Sequence, residues 1–583
     1  MAPAAESVAG VWRGRLAAAA AVAVLAALYA PSLAAHVREG ERRYNDDVCQ
    51  HLSPFLRPLS DGPADYIDRY CRATLPTGYR AIFSAARAFD GVRPLSRFLP
   101  GALLILTAAG AAAAAARFAG VAGGFAAAAL VLSADVFLAR MTGGLPRAFA
   151  FPIFAAAAAA AARGRPAGVA AAAVAGAALY PSIAVPAGLG LAALCLPPAR
   201  WTGLDPAAWP RRRRWTLLAL AAALCAFAIL PNAIALRPYG GRIVRRSLEA
   251  YPEAARGGRL GEGDRIDFRP SLGSCLREMP PLAFRSGGRP WRDARDAAGA
   301  PLIPDAAILA ILALLGASAA VRTREGRRLL ALTLGAPAAF LLARAASPLL
   351  YLPQRHLFYP LIALAPVWLV AGAAQVPALG AAWIGLARRR PAPRVPSWAA
   401  GVAALLAAGG LLLAQGGRVN PSAGYTARDE PESGFHRFVE SLPADAFLAG
   451  WPNAMSPIPF VHRRAVYVSY EAHLPFHAGY LDEMRRRMHA LIAASFATDP
   501  EPLLRLRDDG VTHLVVERRH LAGAPNRYFR PFGSAILRAA KTVTPETSEA
   551  LSRQPQAVVY ADADRVVLDL SKVEPESTGP ANP

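Results

Sequence analysis

The sequence predicts a polytopic α-helical membrane protein that carries a small α/β domain at its C-terminal end. Three observations predict it. The chain of 583 residues is 54% hydrophobic and only 18% charged, with mean hydropathy +0.27, too apolar for a water-soluble protein of this length. Its apolar residues gather into about eleven runs, most of them near the ~20 residues a helix needs to cross a bilayer. The arginines fall in short clusters between those runs, as membrane topology demands.

The runs cover 15–35, 99–117, 119–138, 147–162, 166–181, 183–197, 215–235, 303–321, 329–346, 357–374 and 398–415. Ala dominates them, so their number says more than any single one. With the N-terminus in the cytoplasm, that side receives Arg13 and Arg15, Arg117, Arg163 and Arg165, and Arg200 with the run Arg211 to Arg214. It also receives Arg322, Arg324, Arg327 and Arg328, then Arg388 to Arg390 and Arg394. Every dense basic cluster beside a short loop thus lies on one side. The opposite face receives the loops 36–98 and 236–302, the short 347–356, and everything after 416. Ser32 to Ala35 offers a small-residue cleavage site, but the preceding apolar run is long for a signal peptide.

The membrane part is therefore 1–416 and the outer domain 417–583. In the latter, β-like runs at 446–449, 465–468 and 512–516 alternate with helical segments at 480–496 and 501–508, which predicts a small α/β fold. The end, from Glu574 onward, reads as disordered. The net charge of +23 is accounted for by topology, so nucleic acid is not expected as a partner. No phosphate-binding loop, G-x-S-x-G, H-E-x-x-H or G-x-G-x-x-G pattern occurs, which disfavours ATP-driven transport. The five cysteines form no C-x-x-C pair. Cys49 and Cys71 share the first outer loop, and a disulfide between them is expected if that loop faces an oxidising compartment.

Candidate chemistry concentrates at the outer boundary. Asp46 and Asp47, in Tyr44-Asn45-Asp46-Asp47, lie about ten residues beyond the first run, with Cys49 and His51 following. A carboxylate there can act as general base toward a hydroxyl; the plainer alternative is a helix cap and an ion pair. Apolar spacing over 79–89 predicts an amphipathic helix along the bilayer surface. Thr142-Gly143-Gly144-Leu145-Pro146-Arg147 fills a tight outer turn, where Arg147 either meets a phosphate or snorkels to the interface. Tyr351-Leu352-Pro353-Gln354-Arg355-His356 opens the tenth run, and its Arg355 and His356 suit a phosphate bearing growing negative charge. Tyr44, Asn45, His51, Asp135 and Tyr351 are further candidates to line the same cavity. In the loop 236–302, a helix over 241–256 is expected to cover it.

On these motifs the chain resembles the GT-C superfamily of integral-membrane glycosyltransferases, closest to the bacterial protein mannosyltransferase and aminoarabinose transferase branch. The shared pattern is a cytoplasmic N-terminus, an acidic motif in a large first outer loop, about a dozen spans and an outer C-terminal domain. The resemblance implies a GT-C-like fold in a bacterial inner membrane with the C-terminal domain periplasmic. It implies transfer of a sugar, with inversion, from a polyprenyl-phosphate carrier to a glycan, lipid or protein acceptor. Asp46 or Asp47 would be the catalytic base, and Arg355, with Arg147 and His356, would hold the donor phosphate. No cofactor is certain; a divalent metal, Mg or Mn, bound by Asp46 and Asp47 is the open option. The absence of a Trp-Trp-Asp-Tyr-Gly block speaks against an oligosaccharyltransferase, and Asn-Asp-Asp-Val differs from the Asp-Glu of protein mannosyltransferases. The alternative is a non-catalytic transporter or assembly subunit for lipid or polysaccharide, which should place its charges at the bilayer midplane.

Overall fold

The computed structural model describes residues 8–255, 257–259, 316, 322–347, 349–350, 352–387, 395–396, 398–414, 420–428, 433–497, 499–521, 528–541 and 554–575. Ten of the eleven predicted runs fall on helices; the run 303–321, apart from Gly316, lies outside the described residues, as do Tyr351 and the tail from 576. Val92–Ser133, Arg211–Ala235, Arg324–Ala345 and Arg355–Leu386 are each long and apolar enough to cross a bilayer, and Val8–Glu39 runs for 32 residues. The helices Ala150–Ala162, Pro166–Leu179 and Pro181–Cys195 have 13, 14 and 15 residues, short of the ~20 that a full span needs.

Local chemistry explains where the helices stop. The runs 99–117 and 119–138 are one helical segment broken at Gly120, whose φ of 61° is open to glycine at no steric cost. Pro166 and Pro181 each stand at the first turn of their helices, where a missing N–H costs nothing. Thr323 accepts a hydrogen bond from Gly326 N at 3.0 Å and caps Arg324–Ala345.

Within the bundle small residues set the spacing. A Cβ on Gly335 would lie 2.6 Å from Gly190 N, so the helices Arg324–Ala345 and Pro181–Cys195 touch backbone to backbone. Lipid offers no hydrophobic drive for helices to associate, and close van der Waals contact of this kind replaces it. The outside is apolar: Phe227 on Arg211–Ala235 is 74% exposed, stable only against hydrocarbon.

The C-terminal domain holds a five-stranded sheet in the order β4-β3-β5-β7-β6, built from β3 (Phe447–Gly450), β4 (Ala465–Val466), β5 (His513–Glu517), β6 (Val558–Ala561) and β7 (Arg565–Asp569). β3, β4 and β5 are parallel; β7 and β6 close the far edge antiparallel. Helices Ala478–Ser495 and Glu501–Asp508 make the crossover between β4 and β5. The expected α/β pattern is present, and the C-terminal hairpin β6–β7 adds to it.

A two-stranded ribbon joins this domain to the loop 36–98. β1 (Arg43–Tyr44) pairs antiparallel with β2 (Ala427–Arg428). The strap 420–428 that carries β2 is bonded along its length. Asn420 N donates to Asp135 at 2.9 Å, the Pro421 carbonyl accepts from His36 at 2.7 Å, and the Ala423 carbonyl accepts from Thr142 at 2.7 Å. The segment 241–256 corrects a second expectation: it forms the short 3-10 turns Arg245–Ser247 and Pro252–Ala254, not a helix. It lies against the C-terminal domain, with Ile243 N donating to the Phe476 carbonyl at 3.0 Å.

Candidate active site

The acidic motif is placed by the strap. Immediately after β1, buried Asn45 donates its Nδ2 to the Gly424 carbonyl at 2.7 Å, and Asp46 N donates to Thr426 Oγ1 at 2.9 Å. Thus fixed, Asp47 turns inward and forms an ion pair with Arg147. Asn45 Oδ1 accepts from Arg147 at 3.3 Å and from Asp47 N at 3.1 Å, so one side chain orients both partners. The two neighbouring acids therefore differ: Asp46 is exposed and Asp47 half-buried.

Arg147 arrives on the turn after Thr142-Gly143-Gly144. Gly143 has φ 84°, and a Cβ there would stand 2.7 Å from Val48 Cγ1, next to Asp47. Changing Gly143 to Ala should therefore displace the acidic motif and cost about 1–3 kcal/mol. A thermal midpoint in detergent equal to that of the native chain would refute this.

Arg355 completes the cationic side. It follows Leu352, a non-glycine residue at φ 51°, and opens the helix Arg355–Ala373. Its charge acts on Asp47, His51 and Arg147. Tyr180 and Tyr359, with ring centroids 5.5 Å apart, stand by the two guanidinium groups. Burial alone would raise Asp47, but Arg147, His51 and Arg355 hold its carboxyl well below the usual carboxylate range. His51 Nδ1 donates to the Asp47 carbonyl at 2.8 Å, and burial lowers its pKa.

The remaining expected residues are spread more widely. His356 is buried, with a hydrogen bond to the Ser182 backbone and Nδ1 enclosed. Tyr44 packs on Phe460, ring centroids 5.6 Å apart. Asp135 is buried and anchors the strap at Asn420. Cys49 and Cys71 are buried free thiols, which corrects the expected disulfide. Cys49 joins the core of the helical bundle, whereas Cys71 packs with Tyr70 and Tyr480 beneath the C-terminal domain. No group of three or more metal-ligating side chains occurs among the described residues. With Asp47 neutralised by Arg147, Asp46 and Asp47 do not fit a divalent cation in this arrangement.

Glu471 was not expected at the site. It follows β4 in the C-terminal domain, is half-buried, and its charge acts on Asp47 and Cys49. Arg259, from the loop 236–302, pairs with it at 3.3 Å and stacks 3.8 Å over Tyr470. Burial outweighs Arg259, with Asp47 and Asp46 adding repulsion, and pushes Glu471 up to about 7. A raised carboxyl pKa means the folded chain binds the proton more tightly than the unfolded one. The resulting stability is present below the ordinary value near 4.5 and is lost as pH rises to about 7. Glu471→Gln should flatten the dependence of thermal midpoint on pH over that window. An unchanged slope would show that Glu471 does not titrate there.

No protein-family model matches the chain, and no curated protein matches it. The chain is similar to solved structures of ArnT and AglB. ArnT from Cupriavidus metallidurans, in the apo state, is 16% identical over 91% of this chain and 97% of its own, with TM-score 0.45. The same protein bound to undecaprenyl phosphate gives 17% identity over the same shares and TM-score 0.42. The archaeal oligosaccharyltransferase AglB from Archaeoglobus fulgidus, in complex with an inhibitory peptide and a dolichol-phosphate, is 12% identical over 84% of this chain and 69% of its own, with TM-score 0.38.

Proposed function

We propose that the chain is a multi-pass membrane glycosyltransferase that moves a sugar from a polyprenyl-phosphate carrier to a hydroxyl-bearing acceptor at the outer face of a bacterial inner membrane. The observation that carries this reading is the trio Asp47, Arg147 and Arg355 at the outer ends of apolar helices. A lipid-linked sugar phosphate has its tail in hydrocarbon and its sugar in water, so the reacting bond must lie at this level. The N-terminus is cytoplasmic and the C-terminal domain periplasmic, by the one-sided arginine clusters.

In this reading Arg147 has two claimants. Without donor it neutralises Asp47, whose depressed pKa makes it a weak base. A donor phosphate recruits Arg147 and Arg355. Relieved of its partner, Asp47 becomes more basic and takes the acceptor hydroxyl proton while the oxygen attacks the anomeric carbon. The carbon–phosphate-oxygen bond breaks with inversion, and the two arginines stabilise the departing lipid phosphate. Binding and base activation are thereby linked through one guanidinium. The acceptor, whether glycan, lipid or protein, approaches from the side of Glu471.

The test is donor consumption by the full chain in phospholipid vesicles supplied with undecaprenyl-phosphate-linked hexoses and pentoses and a membrane extract as acceptor. Release of free undecaprenyl phosphate that depends on Asp47 supports the reading. Vesicles that move these lipids across the bilayer without cleaving them would replace it with transport.

A further inference from the structure

Beside the acidic motif, lined in part by Tyr44, Asn45 and Gly143, lies a recess of about 40 Å³ that opens to solvent. We propose that it is a binding site for a phosphate group, separate from the site at Asp47. Three guanidinium groups line it, Arg43, Arg93 and Arg97, against the one carboxylate of Glu41.

Each arginine is held differently. Arg43 on β1 spends part of its charge on Glu39, 3.2 Å away. Arg93 donates to the carbonyls of Phe460 and Val461 at 2.6 and 2.9 Å and lies 5.4 Å over the Phe460 ring. Those carbonyls and the ring fix its direction. Arg97, one helical turn along and half-buried, has no hydrogen bond or ion pair to any described residue. Arg93 stands four residues before Arg97 on the same helix, where like charges repel, and an anion between them would relieve that repulsion. Both also sit in the first two turns of Val92–Ser133, where the helix dipole favours a negative group. Arginine forks match phosphate oxygens.

The level of the recess points to the source. The same helix exposes Phe98 and Leu106 just below it, which places the arginines at the height of lipid headgroups if the helix spans the bilayer. A lipid phosphate and a free phosphate share the recognising chemistry. An occupant would also bear on Tyr44 and Asn45, and Asn45 orients Asp47 and Arg147.

The experiment uses the full chain in detergent, challenged separately with inorganic phosphate and with phosphatidylglycerol against phosphatidylcholine, and read by native mass spectrometry. Arg97→Gln and the double change Arg43→Gln with Arg97→Gln are compared with the native chain. Arg97 makes no bond that folding requires, so Arg97→Gln should melt as the native chain does. It should retain at least tenfold less of the bound anion, while Arg97→Lys loses less. Retention of phosphatidylglycerol alone assigns a lipid headgroup, and retention of inorganic phosphate alone assigns a soluble one. Failure of the native chain to retain either, or equal retention by the folded Arg97→Gln variant, overturns the proposal.

Discussion

Replacing Asp47 by Asn is expected to lower sugar transfer by about 10²–10⁴-fold, or about 3–5 kcal/mol of transition-state stabilisation. Asn keeps an acceptor for Arg147 and for the local turn, so the fold should survive while the proton acceptor is lost. The geometry distinguishes this from Asp46→Asn. Asp46 is exposed and is held through its backbone, by Thr426 Oγ1, so its change should cost less than about tenfold. The two variants must therefore be unequal. The assay is initial rate of donor cleavage in vesicles, at saturating and at limiting donor. Because Arg147 is shared between Asp47 and donor phosphate, Asp47→Asn should also free Arg147 and tighten donor binding. A lowered kcat accompanied by a lowered KM would mark that exchange. Equal losses at Asp46 and Asp47, or none, would end the assignment.

How much of this was legible in the sequence follows from physics that differs by region. Lipid forces backbone polar groups to be satisfied within a helix, so apolar runs alone located ten helices. It also makes charge scarce, and scarcity is why Asp47, Arg147 and Arg355 stood out. Helix Glu501–Asp508 was readable to the residue. What the sequence concealed was set by distant contacts. Arg and Glu spacing over 241–256 imitates a helix, but the segment is claimed by Phe476 and by the Arg485–Glu253 pair. Cys49 and Cys71 are near in sequence, yet two apolar clusters of different composition draw them apart. Glu471 lies over 400 residues from Asp47, and the only local sign was its position after a short strand.

Arg487→Met is expected to loosen the C-terminal domain from the first outer loop by about 3–5 kcal/mol, a fall in the domain's melting midpoint of about 10 °C. Arg487 is fully buried, with its side chain 2% exposed. Its Nε donates to Glu483 at 2.7 Å, Nη1 to the Tyr467 carbonyl at 3.2 Å and Nη2 to the Pro63 carbonyl at 2.9 Å. The guanidinium also lies 5.2 Å from the Tyr66 ring and 5.0 Å from the Tyr467 ring. Met fills much of the volume but satisfies neither carbonyl, and each buried acceptor left open costs about 1–3 kcal/mol. Glu483 keeps Arg486, at 2.8 Å, so no buried carboxylate is stranded. Below this arginine, Tyr70 stacks 3.5 Å from Tyr480 and bonds to His477 at 3.0 Å. The loss should therefore spread through the loop that carries Asp47. The expected signature is faster proteolysis between residues 56 and 66 together with a raised KM for acceptor and an unchanged KM for donor. Arg487 is remote from Arg147 and Arg355, so a change confined to donor binding would contradict the docking role. A midpoint within about 2 °C of the native chain would do so as well.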